Sequence, residues 1–159
     1  MTNITFDDNL ITGNDTIDTQ HEELINRIQQ FVAACESGDG KVKAIKMLDY
    51  LDEYTNFHFQ AEEELQKKVS YPELAKHQEK HDEFKKSIQE LYDFLNENEG
   101  PNEQFIEQVK INVVDWLFKH IKTLTGQLQN IYTLITMRKD YKHQKQKEEQ
   151  MPLFLHLFE

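Results

Sequence analysis

The sequence predicts an all-α protein, an up-down-up-down four-helix bundle with an N-terminal arm and a C-terminal extension. Three observations lead there. Apolar residues recur at spacings of three and four over four long stretches, the period of one helical face. Turn formers are scarce, with 5 Gly and 3 Pro in 159 residues, too few for a many-stranded sandwich or barrel. The turn-forming clusters Gly38-Asp39-Gly40, Tyr71-Pro72 and Asn98-Glu99-Gly100-Pro101 fall between the stretches. Amphipathic helices joined by short loops pack as antiparallel neighbours. The chain is long enough to bury a real core as one domain.

Residues 1–17 form the arm, in which Ile4, Phe6, Leu10 and Ile17 can cover one end of the bundle. Residues 18–137 are the bundle. Its first helix opens at Asp18-Thr19-Gln20-His21, with Asp18 or Thr16 as N-cap and Glu22 and Glu23 near the positive helix start. The stripe of this helix is His21, Leu24, Ile28, Phe31, Cys35. The second helix runs from about Val42 to Lys68, with the stripe Ile45, Leu48, Leu51, Thr55, His58, Glu62, Leu65. The third, about Glu73 to Glu97, carries Leu74, His77, His81, Phe84, Ile88, Leu91, Leu95. The fourth starts near Asn102 and carries Ile106, Val109, Val113, Trp116, His120, Leu124, Leu128, Ile131, Ile135. Residues 138–159 are a charged extension ending in an apolar tail, Leu153 to Phe158. The fourth helix is expected to leave the bundle before residue 150. The tail is expected to be a disordered or loosely helical extension, the alternative being that Leu153 to Phe158 docks on its own bundle, on a second copy in self-association, or on a protein partner.

Charge narrows the function classes. The net charge is −11 and the pI about 5.1, a surface that repels phosphate backbones, so no nucleic acid partner is expected. Cys35 is the single cysteine, which rules out an internal disulfide and suits a reducing compartment. The first residues carry neither a basic segment nor an apolar run, and no stretch approaches the ~20 apolar residues of a membrane span. The expected location is cytoplasmic.

The chemistry lies in the histidines. There are seven, at 21, 58, 77, 81, 120, 143 and 156, and five of them fall on the core stripes, at least one per helix. His58 and Glu62 are four apart, as are His77 and His81, so each pair shares a helix face one turn apart. A lone core histidine is ordinarily just hydrogen-bonded. Five of them around a core glutamate would need too many partners in one small bundle, and a buried carboxylate needs a compensating charge. A metal supplies it. Nitrogen donors with one carboxylate and no thiolate suit iron, zinc, copper or manganese over calcium or magnesium. Six ligands exceed a closed tetrahedral zinc site and suggest two metals bridged by Glu62. The set is poorer in carboxylate than the Glu-x-x-His diiron bundles, and His77-Gln-Glu-Lys-His81 is not the zinc-protease motif. No nucleophile–base pair or phosphate loop points to an enzyme.

The motifs resemble those of the hemerythrins, especially single-domain bacterial ones. They are Ile17-Asp18-x-Gln20-His21-x-x-Leu24, His58-Phe59-x-x-Glu62-Glu63, Tyr71-Pro72-x-x-x-x-His77-x-x-x-His81-x-x-Phe84 and Trp116-x-x-x-His120-Ile121, in order over about residues 4–135. The resemblance implies a non-haem diiron centre that binds O2 reversibly, for storage, delivery or sensing. By motif position His77, His81 and His120 would hold one iron, His21 and His58 the other, and Glu62 would bridge. One position departs. The family places a second bridging Asp five residues after the last histidine, where this chain has Thr125. A neutral hydroxyl cannot bridge two cations as a carboxylate does. Three outcomes follow: the diiron centre persists with water, Thr125 or a shifted carboxylate in the gap, it reduces to a mononuclear site of His77, His81, His120 and Glu62, or the site is empty or takes another metal. The rival readings are a metal-poor signalling or interaction module and a diiron redox or nitric-oxide-handling enzyme. Among the other residues, Phe59, Trp116 and Cys35 are expected in the core. Asp18 and Gln20 are expected to cap and orient His21, and Glu63 to face solvent. His143 and His156 fall outside the bundle pattern and are assigned no metal.

Overall fold

The computed structural model describes residues 4–149; the side chains at 125, 128–132, 134, 148 and 149 lie outside that description. Helices account for nearly all of it. They are α1 (Asp15–Glu36), α2 (Lys41–Lys68), α3 (Leu74–Glu97), α4 (Glu103–Val109) and α5 (Trp116–Glu149), with a π-helical turn (Lys110–Asp115) joining the last two into one bundle helix. Among the described residues there is no strand. Consecutive helices pack against each other, and α4 returns to both α1 and α3, which closes the all-α bundle.

Local chemistry sets the helix ends. Asn14 is the N-cap of α1, its side-chain oxygen accepting from Ile17 N at 3.0 Å. This differs from the expected cap at Asp18 or Thr16. Asp18 instead holds the arm, accepting from Thr12 N at 2.8 Å, Thr12 Oγ1 at 2.7 Å and Gly13 N at 3.2 Å. Fixed in this way, the arm buries Ile4 and Leu10 in the bundle core. The turn between α1 and α2 needs positive φ at Gly38 (69°) and Gly40 (91°), which an L-residue would reach only under strain. Beyond α2 the chain reverses through Ser70 at φ 54° and Pro72. Asn102 caps α4 by accepting from Phe105 N at 2.9 Å.

The core follows the predicted stripes, with two local shifts. On α2, Gln66 is fully buried where the stripe places Leu65, which is half-buried. On the fourth bundle helix the buried set runs Phe105, Val109, Val113, Val114, Leu117, His120, Ile121, Leu124. The adjacent Val113 and Val114 mark where the π turn resets the helical register. Cys35 packs in the core as expected, and burial pushes its thiol up to about 12.

The fourth bundle helix is longer than the stripe predicts. It continues to Glu149, and every residue from Thr136 to Lys147 is exposed. Residues 138–149 contain good helix formers and neither Gly nor Pro, so nothing local stops the helix as it leaves the core. The apolar tail Leu153 to Phe158 lies outside the described residues. No helix among the described residues is long and apolar enough to cross a membrane.

Candidate metal centre

The six residues singled out from the sequence converge on one buried point. His21, His58 and His81 are fully buried, Glu62 is 1% exposed, and His77 and His120 are 6% and 7% exposed. Each comes from a helix whose apolar stripe it interrupts: α1 supplies His21, α2 His58 and Glu62, α3 His77 and His81, and α5 His120. Burial of the stripe therefore carries the ligand-type groups inward with it.

Glu62 divides them. Its Oε1 lies 3.2 Å from His21 Nε2 and 2.7 Å from His58 Nε2. Its Oε2 lies 3.1 Å from His77 Nε2, 3.1 Å from His81 Nε2 and 3.2 Å from His120 Nε2. Two groups result, each compact enough to hold one metal ion: Glu62 with His77, His81 and His120, and Glu62 with His21 and His58. The carboxylate belongs to both.

The outer nitrogens explain why a cation suits the centre. His81 Nδ1 donates to Glu63 Oε1 at 2.7 Å, and His58 Nδ1 donates to Gln20 Oε1 at 2.8 Å. Both partners accept only, so the Nδ1 proton is fixed and the neutral ring turns its Nε2 lone pair inward. There it meets a carboxylate oxygen, and lone pair against lone pair needs a cation between them. His58 Nε2, for all its closeness to Glu62, makes no aligned hydrogen bond. His81 Nε2 and His120 Nε2 also face each other at 3.2 Å. The donor set is nitrogen-rich, thiolate-free and held by a buried anion, which fits a first-row transition ion.

Electrostatics agree. Burial alone would push the Glu62 carboxyl up; the electrostatic pull of the adjacent His58 imidazole and hydrogen bonds with His120 and His21 overcome it and hold the carboxyl well below its usual range. Burial lowers His120 to about 4, against the opposing pull of Glu62, and lowers His21 as well. A neutral His120 and His21 beside an ionised Glu62 are in the protonation states that metal ligands need.

Aromatic rings wall the three-histidine side. Phe59 stacks on His81 at 3.8 Å and 7°, and Trp116 on His120 at 4.7 Å and 13°. A cleft of about 420 Å³ opens beside them, lined by His77, His120, Trp116, Lys76, Lys80 and Lys119 among others.

Three expectations about supporting residues change. Gln20 orients His58 instead of His21. Asp18 serves the arm. Glu63, expected to face solvent, is part-buried and accepts from His81 and from Gln78 Nε2 at 3.1 Å. Sequence reasoning missed Gln66, although its spacing of four from Glu62 extends the series His58, Glu62, Gln66 along one face. Thr125 lies in α5, but its side chain is outside the described residues. His143 is exposed, and His156 lies outside the described residues.

Fold and site together define a helical-bundle protein with a buried histidine–carboxylate cluster suited to cations. Residues 12–128 match the hemerythrin HHE cation binding domain, and the chain belongs to the hemerythrin family. It is 30% identical over 122 residues to a bacteriohemerythrin of Stenotrophomonas maltophilia (strain R551-3), covering 77% of this chain and 76% of that one. A bacteriohemerythrin of Aquifex aeolicus (strain VF5) is 31% identical over 109 residues, covering 69% of this chain and 82% of the relative. A hemerythrin-like protein of Naegleria gruberi is 32% identical over 117 residues, covering 74% and 83%.

Proposed function

We propose that the protein binds two iron ions and, through them, O2, for oxygen storage, delivery or sensing. His77, His81, His120 and Glu62 hold one ion; His21, His58 and Glu62 hold the other. The observation that carries this reading is the division of the imidazole Nε2 atoms between the two oxygens of one buried carboxylate. Iron supplies the O2-binding chemistry when bound. The protein's part is to keep the imidazoles neutral, hold them through Glu63 and Gln20, and exclude bulk water with Phe59, Trp116 and the helix core.

The two ions would not be held equally. The three-histidine group offers four protein donors and the two-histidine group three. The latter therefore keeps more open coordination positions, as binding an external ligand requires. Thr125 in place of a second bridging carboxylate also leaves the pair one negative charge short, in a site where screening is weak. This favours a second reading, a single ion on His77, His81, His120 and Glu62.

Iron and protein measured on one sample decide between them. Two irons per chain and a near-ultraviolet band that appears with O2 and disappears on its removal are expected. A ratio near one selects the mononuclear reading, and loaded protein without an O2-dependent band removes the O2 function. Thr125→Asp should tighten the second iron; unchanged iron affinity would show that the missing carboxylate does not limit the site.

A further inference from the structure

The face of α2 that carries His58 and Glu62 continues one turn further to Gln66, and this residue has no ordinary explanation. It is 0% exposed, and among the described residues neither its Oε1 nor its Nε2 has a hydrogen-bond partner. A glutamine is a poor choice for a dry core. Both ends of its amide lose their water on folding, and each unpaired buried group carries a desolvation penalty. Most buried polar side chains are satisfied, so an orphan amide calls for a missing partner.

The surroundings narrow that partner. Gln66 and Glu62 line the same narrow gap, together with Ile17, Leu65 and Leu124. The other described side chains that line it are hydrocarbon and offer the amide nothing. The gap does not admit a water-sized sphere, so hydration cannot satisfy Gln66 either. A dehydrated first-row cation is smaller than water. Of the two groups built on Glu62, the one completed by His21 and His58 has the fewer donors. A second bridging carboxylate, which the family resemblance implies where this chain has Thr125, would be missing from both groups, and the two-histidine group is then the poorer in donors.

We infer that Gln66 is a further donor of this centre, its amide Oε1 giving the ion held by His21, His58 and Glu62 a fourth protein donor while still leaving positions for an external ligand. The inference rests on the two-ion reading proposed above. His58, Glu62 and Gln66 then form three successive turns of one helix face, supplying an imidazole, a bridging carboxylate and a neutral carbonyl. An amide oxygen is an acceptable ligand for a hard or borderline cation, but it brings no charge. Gln66 would restore a donor to the site without restoring the negative charge lost at position 125.

The test is an anaerobic titration of the metal-free protein with Fe(II), together with thermal unfolding of the same metal-free samples. Wild type is expected to take up two Fe(II). Gln66→Met keeps the length and volume and removes both polar atoms. It should weaken one of the two Fe(II) by about tenfold to a hundredfold and leave the other unchanged. The metal-free Gln66→Met protein should unfold at the wild-type temperature or above, because an unpaired amide has been removed. Gln66→Glu should bind the same ion more tightly than wild type, and this arm stands even if the Met variant fails to fold. Two Fe(II) at wild-type affinity in Gln66→Met, or unchanged affinity in Gln66→Glu, would overturn the assignment of Gln66 while leaving the two-ion reading intact. A metal-free Met variant that unfolds well below wild type would also overturn it, since the amide would then have a structural partner. Wild type that takes up fewer than two Fe(II) would remove the two-ion reading itself, and the inference with it.

Discussion

Glu62 is the residue on which both halves of the centre depend, since each of its oxygens faces a different set of imidazoles. Glu62→Gln keeps the shape but removes the negative charge and replaces one acceptor oxygen with a donor nitrogen. Iron uptake should fall from two per chain to below one. A substitution at His21 or His58 should remove only one ion, so the contrast in iron content checks the bridging role. Glu63 acts at one remove, because its carboxylate fixes the Nδ1 proton of His81 at 2.7 Å. Glu63→Leu leaves that proton without its acceptor and frees the ring to turn. The three-histidine ion should then bind about tenfold to a hundredfold more weakly, with the other ion unaffected. Competition with a chelator on protein loaded with Fe(II) would measure both. At this scale the site was largely legible. All six ligand-type residues could be picked out because polar groups on an apolar helical stripe are conspicuous. Gln66 was not, because a glutamine near a helix end reads as surface, and the stripe could pass through Leu65 as easily.

The elements place those residues by period. Between α4 and α5 the π-helical turn Lys110–Asp115 supplies one residue more than an α-helical path would need. Removing a residue there should rotate everything beyond it by about 100° relative to what precedes it. Deletion of Ile111, itself 54% exposed, should therefore force a choice between burying Phe105 and Val109 and directing His120 at Glu62. We expect the helix content in circular dichroism to survive and iron to fall to one per chain or less. Full iron loading would show that the π turn does not set the register of His120. This turn was invisible in the sequence, since the run Val109, Val113, Trp116, His120 fits an unbroken α-helix. The helix ends were more legible. Gly40, Pro72 and Asn102 were recognisable as turn or cap residues. Asn14, Thr12 and Asp18 were harder to rank because any of several polar residues can cap a helix, and tertiary contact with the arm chose among them.

At the scale of the whole molecule, the buried centre ties stability to pH. In the metal-free protein His120 is lowered to about 4 from an ordinary 6.5, so between those values the unfolded chain binds more protons than the folded one. Its contribution is complete above pH 6.5 and is lost as the pH falls towards 4, on the order of 3 kcal/mol for this group. His21 acts in the same direction. Glu62 is lowered too, so its contribution is present above the ordinary carboxylate range and is lost as the pH falls through its folded value. The metal-free protein should therefore unfold at a distinctly lower temperature at pH 4.5 than at pH 7.5. A melting temperature independent of pH across that interval would contradict the lowered values of His120 and His21. Loaded protein should release iron over the same interval, because the ligand nitrogens must be free of protons.

The sequence by itself determined the helices, their pairing through short turns and the identity of six metal-suited side chains. These are local properties: a period of 3.6, a few turn residues, and polar groups out of place on apolar faces. Its motifs were also enough to indicate the family that residues 12–128 match. Only the tertiary structure decided how the imidazoles divide between the two oxygens of Glu62, and which acceptors fix their protons. It alone placed Gln20 on His58, Glu63 on His81, and, one turn beyond Glu62, a Gln66 amide with no partner among the described residues. Those assignments depend on which residues of different helices meet across the core. Spacing along one helix says which face a residue shares, but only packing says what that face meets.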